Sequence, residues 1–176
     1  HGIFVSGDTA EEIRSLYAGV MNPLREEYEQ MGISEDLGIS DGERDTLAES
    51  KIQEIFGEDA SFIESSGFFE CVPGPITPDH LVYARAFPFS DDLNQENADA
   101  YRAKHGFAPK VVIHNDRIYG LGVTEKNAGL ALLFAQDGAQ VMKLSKAFGG
   151  IDYMTDRARE FIENWEVESY RQKVAS

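Results

Sequence analysis

The sequence is poor in cysteine and has no long apolar run. Cys71 is the single cysteine among 176 residues, which excludes an internal disulfide and any cluster of thiolates around zinc or iron and sulfur. A lone thiol is typical of proteins from a reducing compartment, so we expect a cytoplasmic location. No stretch approaches 18 apolar residues, and the first residues have neither a basic start nor an apolar signal core. We therefore expect no membrane span and no export signal.

Basic side chains are also scarce. Lysine and arginine number 16 against 31 aspartates and glutamates, which gives a formal net charge of −15. Affinity for a phosphate backbone comes from lysine and arginine, so nucleic acid and anionic membranes are poor partners. The hydrophobic share of 42% is ordinary for a globular protein. The length predicts a single domain over residues 1–176. The start at His1 rather than at a methionine suggests a piece of a longer protein.

The first third of the chain predicts a strand followed by two helices. Residues 2–6 have the pattern of a short buried strand. Thr9 and Glu12 then form a capping box, and apolar residues recur at three and four residue spacing behind it. Pro23 is expected to bend this helix. Ser40 with Glu43 repeats the capping-box pattern ahead of a second helix that ends near Phe56.

Prolines and turn residues divide the middle of the chain into short pieces. We predict two strands and a short helix here, over residues 68–72, 81–87 and 97–105. Next, Lys110 to His114 and Ile118 to Gly122 predict a hairpin through Asn115 and Asp116, which accept positive φ at modest cost. Thr124 is expected to cap a long buried helix that runs to Phe148. A final helix is predicted from Thr155 towards Val174.

An internal duplication is predicted at an offset of 115 residues. It aligns residues 2–24 with residues 117–139, and both copies then read as a strand, a glycine turn, a threonine cap and a helix. The identical pairs are Ile3 with Ile118, Gly7 with Gly122, and Thr9 with Thr124. Pro23 and Gly138, which both weaken a helix, also coincide. His1 aligns with Asp116.

Residue spacing alone gives little chemistry. The four histidines show neither H-x-H nor H-x-x-x-H spacing, and for His105 and His114 a structural or solvated role is favoured. His80, in Thr77-Pro78-Asp79-His80, either follows a turn or faces a site. The acidic pairs, Glu163 with Glu166 among them, are expected on solvated faces. No phosphate-binding glycine loop and no G-x-S-x-G elbow occurs.

The stretch from His1 to Glu12 resembles the class II aldolase and adducin family, in which a histidine-glycine pair opens a strand that ends in glycine before a threonine-capped helix. The rest of the chain is similar to the carboxy-terminal part of the aldolase region in bifunctional rhamnulose-1-phosphate aldolase/alcohol dehydrogenases. The segments that carry this similarity are Thr77 to His80, the hairpin at 110–122, Phe148-Gly149-Gly150 and the tail at 161–168.

The resemblance implies a three-layer α/β/α fold around a mainly antiparallel sheet, and retro-aldol cleavage of a phosphorylated ketose. It makes His1 the last of three histidines that hold zinc or another divalent metal, while a glutamate moves the proton. The other two histidines, that glutamate and the phosphate-binding loop precede position 1 in the family. We therefore expect this chain alone to be inactive and to carry little or no metal, because catalytic zinc normally needs three protein ligands.

Three further expectations accompany the resemblance. His80 is the candidate substrate-binding residue of this chain, and the ligand is a phosphorylated sugar. The family forms oligomers with sites near subunit boundaries, so a homo-oligomer is expected. The alternative to an enzyme is a non-catalytic binding or assembly module of the same fold, as adducin is.

Overall fold

The computed structural model describes residues 3–40 and 42–164. It combines helices with a small antiparallel sheet of three strands. The helices are α1 (Ala10–Gln30), α2 (Thr46–Phe56), α3 (Pro78–Tyr83), α4 (Gln95–His105), α5 (Glu125–Ser145) and α6 (Asp156–Glu163); the strands are β1 (Phe62–Gly67), β2 (Val111–His114) and β3 (Arg117–Gly122). Short 3₁₀ turns follow α2 and α5, at Gly57–Ala60 and Lys146–Phe148. None of the helices in these described ranges is long and apolar enough to cross a membrane.

The sheet has the order β1-β3-β2, with both pairs antiparallel. The predicted hairpin between β2 and β3 is confirmed: Asn115 and Asp116 form its turn with φ values of 50° and 54°. Asn and Asp tolerate this left-handed region better than most residues. β1 was not predicted, and the strand expected at residues 68–72 is not formed.

The central strand β3 contributes to two buried clusters. Tyr119 and Leu121 pack with residues of α2 and α4, whereas Ile118 packs with Ala139 of α5. Glycine allows α5 to approach this strand closely, because a Cβ at Gly120 would lie 2.5 Å from the backbone oxygen of Ala128. This close contact holds the long helix α5 against the sheet.

Helix caps explain two corrections. Residues 81–87 do not form the predicted strand, because Thr77 caps α3 and its Oγ1 accepts a hydrogen bond from the His80 backbone N–H at 3.4 Å. Proline at the first helical position is pre-set for a helix, so Pro78 favours this start. In α2 the cap is Asp45, whose Oδ1 accepts from Ala48 N at 3.0 Å, and not the predicted Ser40. The predicted helix near residues 97–105 is confirmed as α4.

The two predicted copies agree in their helices and differ in their strands. α1 and α5 are both 21 residues long, begin at residues 10 and 125, and carry the predicted caps Thr9 and Thr124. Pro23 lies inside an uninterrupted α1. The predicted strand is wrong for the part of residues 2–6 that is described: residues 3–6 form no strand, and the side chains of Ile3 and Phe4 are 53% and 97% exposed.

The last predicted helix is partly described. Thr155 caps α6 as expected, and its Oγ1 accepts from Ala158 N at 3.3 Å. The predicted continuation towards Val174 lies outside the described residues from position 165 onward, as does Trp165. Glu163 corrects one sequence expectation: its carboxylate is only 13% exposed and lies 3.2 Å from the guanidinium of Arg159. The expected solvated position is therefore wrong for Glu163.

Candidate functional site

The sequence-predicted residue His80 borders a cavity between α3, the segment before it and α5. The enclosed space is about 30 Å³ and opens to solvent. Its polar lining comes from His80, Arg85 and Cys71, and Val72, Ile76 and Phe134 are among its apolar walls. Pockets that hold small ligands combine a mainly apolar wall with a few convergent polar groups. This cavity has that composition.

His80 is held between two side chains. Its Nδ1 lies 2.8 Å from Thr77 Oγ1, and its Nε2 lies 3.1 Å from Asp137 Oδ2. Nε2 is buried, and the carboxylate of Asp137 is the polar group that faces it. Burial lowers the pKa of His80, and the nearby carboxylates of Asp137 and Asp79 oppose this effect. The imidazole is thus oriented and predominantly neutral at pH 7.

Arg85 brings a positive charge to the cavity from the end of α3. Its backbone has φ +65°, a region that non-glycine residues enter at some strain. The guanidinium carbon lies 4.2 Å from the centre of the Phe107 ring, and Nε is buried without a hydrogen-bond partner. Burial lowers the pKa of Arg85, and the charge of Glu163 opposes that effect. Within residues 3–40 and 42–164, no carboxylate lies within 4.0 Å of this guanidinium.

Lys110 lies near Arg85 and adds to the positive charge. Its Nζ donates a hydrogen bond to the Val82 carbonyl at 2.8 Å, near the carboxyl end of α3. Burial, followed by repulsion from Arg85, lowers the pKa of Lys110 to about 8. Two basic side chains therefore lie near each other, one of them lining the cavity, in a protein whose net charge is −15.

Cys71 and the other histidines have different surroundings. Burial raises the pKa of the Cys71 thiol to about 12, so the thiol stays protonated at neutral pH and is a weak nucleophile. His105 packs against aromatic rings, with its centre 4.4 Å from that of Tyr101 and 4.8 Å from that of Phe87. His114 ends β2.

The predicted metal ligand His1 lies outside the described residues. In the part of the chain that is described, no three His, Cys, Asp or Glu side chains are grouped so that they could hold a metal ion. Sequence reasoning identified His80 but missed Arg85, Lys110 and Asp137. These three residues lie in different parts of the fold and share no local sequence motif. The one available signal was Thr77 with Pro78, which predicts the start of α3 and thereby places Arg85 near His80.

Comparison with known proteins adds no assignment. No family model matches the chain, and no curated protein matches it significantly in sequence.

Proposed function

We propose that this chain is the carboxy-terminal part of a class II aldolase region that cleaves a phosphorylated ketose by a retro-aldol reaction. The observation that carries the proposal is the opening motif, whose glycine and threonine precede a helix in the manner of the family. Thr9 caps α1 and its Oγ1 accepts from Glu12 N at 3.1 Å. The matching length and offset of α1 and α5 support the helical part of the finer fold proposal, a duplicated unit within a three-layer α/β/α domain, whereas residues 3–6 do not supply the strand of the first copy.

His1 is the proposed metal ligand of this chain. When bound by three histidines, zinc or another divalent ion polarises the carbonyl and hydroxyl oxygens of the substrate and stabilises the enediolate. A single imidazole binds zinc too weakly to form such a site, so this chain alone is inactive. The His80 cavity is proposed to contact the substrate in the complete protein, with neutral His80 as the hydrogen-bonding group.

A second candidate is an adducin-like binding or assembly module. It is favoured by the exposed apolar stripe of α1, in which Ile13, Leu16, Tyr17 and Val20 are each between 38% and 48% exposed. Large uncovered apolar surfaces mark contact sites. Such a surface suits a homo-oligomer and requires no catalysis.

A metal titration and an activity assay separate the two candidates. By calorimetry we expect this chain to show no tight, stoichiometric zinc binding. Tight binding would refute the proposal that this chain supplies only one of the three metal ligands. The longer protein that contains this sequence is then assayed for retro-aldol cleavage of phosphorylated ketoses with and without a chelator. We expect the chelator to abolish activity and zinc to restore it.

Matched histidine variants test the role of His1 in that longer protein. His1→Ala is expected to reduce cleavage at least 100-fold, whereas His114→Ala retains it. Cleavage that survives both the chelator and His1→Ala would refute the metal-dependent aldolase. Absence of cleavage in the metal-loaded protein would favour the assembly module.

A further inference from the structure

We propose that the cavity beside His80 binds a small organic anion, with Arg85 as its counter-ion. The ligand class is a carboxylate or a phosphate monoester on a short apolar body. This cavity is the one proposed above to contact the substrate, but the inference uses only residues around the cavity and no metal, so it is tested on this chain.

The charge balance around Arg85 leads to this conclusion. Buried charges in proteins are normally paired, because removing an ion from water is costly. Glu163 is the acid whose charge acts on Arg85, but it forms its ion pair with Arg159 at 3.2 Å; Asp137 lies 3.1 Å from His80, and its side chain is 57% exposed. Lys110 increases the local positive charge and donates to a carbonyl, not to a carboxylate. In residues 3–40 and 42–164 the guanidinium therefore has no carboxylate in direct contact, and it lines a cavity that opens to solvent.

The donors suit an anion's oxygen atoms. Arg85 Nε is buried without a hydrogen-bond partner, whereas His80 Nε2 already faces Asp137. A buried donor without a partner is uncommon in native proteins and calls for one. Arg85 also has the left-handed backbone of a strained position, and strained residues concentrate at ligand sites.

The walls define the rest of the ligand. Val72, Ile76 and Phe134 are apolar residues that line the same cavity as the cation. Gly138 keeps the cavity open, because a Cβ there would lie 3.1 to 3.4 Å from side-chain atoms of Val72, Ile76 and His80. The enclosed space is only about 30 Å³ and opens to solvent, so the cavity admits little beyond the charged group and the first carbon atoms of a ligand.

Binding is tested on this chain by nuclear magnetic resonance of the His80 imidazole at constant ionic strength. The probes are sodium butyrate, its neutral analogue butyramide, and inorganic phosphate. We expect saturable binding of butyrate with a dissociation constant of about 1 mM, a value typical of a ligand of this size. Butyramide is expected to bind at least tenfold more weakly. Tighter binding of phosphate than of butyrate assigns the site to phosphate esters, and the reverse assigns it to carboxylates.

Variants show which residues bind the anion. Arg85→Asn is chosen because asparagine tolerates positive φ, and it should weaken butyrate at least tenfold. Arg14→Gln removes the same charge from a 76% exposed side chain and should leave affinity unchanged. Gly138→Ala keeps both charges and the helix but narrows the cavity, so it should also weaken binding.

Three results overturn the inference. The first is no saturable binding of either anion, and the second is equal binding of butyrate and butyramide. The third is an affinity within twofold of the parent chain in folded Arg85→Asn and Gly138→Ala. Loss of aldolase activity in the longer protein bears on none of these results, so the two proposals fail independently.

Discussion

Substituting the partly buried Lys110 by methionine tests the electrostatics around Arg85. Lys110 has a pKa of about 8 in the folded protein, against 10.5 for an ordinary lysine. The unfolded chain therefore binds more protons than the folded chain between these two pH values. Its ammonium thus destabilises the fold at pH 7, and the destabilisation is lost as the pH rises from 8 to 10.5.

The pKa shift sets the size of the effect. One pKa unit corresponds to about 1.4 kcal/mol, so the shift represents about 3 kcal/mol at pH 7 and about 1 kcal/mol at pH 10. The free energy of unfolding of the parent chain should then rise by about 2 kcal/mol relative to Lys110→Met between pH 7 and pH 10. Loss of the hydrogen bond to Val82 lowers the stability of the variant by a similar amount at both pH values and cancels from this difference.

Urea unfolding of both proteins at pH 7, 8, 9 and 10 measures this difference. Lys126→Met is the control, because Lys126 is exposed and its substitution should leave the pH dependence of the parent chain unchanged. A parent-minus-variant difference that stays constant over the range, or that falls with rising pH, would refute the account of Lys110 as a desolvated cation. In the Arg85→Asn background the pKa of Lys110 should rise, which reduces the pH dependence.

Three other substitutions test the fold and the site. Gly120→Ala should destabilise the protein by about 2 kcal/mol, because the added Cβ collides with the α5 backbone. Its control is Gly129→Ala, whose Cβ would have no heavy atom within 4 Å and which should stabilise the protein by about 0.5 kcal/mol. The thermal unfolding of the two variants measures this difference. Thr124→Ala removes the cap of α5 and should lower the free energy of urea unfolding by about 1 kcal/mol, and an unchanged value would argue against that cap. Because burial lowers the pKa of His80, this imidazole binds a proton more readily in the unfolded chain than in the folded chain as the pH falls below 6.5, and the folded state loses stability. His80→Asn should therefore lose less free energy of unfolding than the parent chain between pH 6.5 and pH 5. Equal losses would contradict the burial of this imidazole.

Elements with local signals were predictable from the sequence. Thr9, Thr124 and Thr155 start their helices as predicted, because a cap is a contact between residues three apart. The hairpin at Asn115 and Asp116 is equally local. β1 lacked such a signal: its residues Phe62–Gly67 alternate only weakly, and the strand is defined by its pairing with β3 across the fold.

The candidate site was predictable only at His80. Asp137 reaches His80 because α5 packs against α3, and Lys110 reaches Val82 from the start of β2. These contacts join residues far apart in sequence, and no spacing rule connects them. Arg85 has the additional difficulty that its φ of +65° is unusual for arginine, so no turn pattern identified it.

The mismatch between the two predicted copies follows from a difference between helices and strands. A helix satisfies its backbone hydrogen bonds internally, whereas a strand needs a neighbour on at least one side. β3 has β1 and β2 as neighbours, and α5 covers it with the small residues Ala128, Ala131 and Ala139. The aligned positions in α1 are Ile13, Leu16 and Leu24, which are apolar and larger. α1 therefore carries an apolar stripe, but its bulkier side chains would hold the helix axis farther from a sheet than the alanines of α5 do, since the distance between packed elements depends on the side chains at the contact.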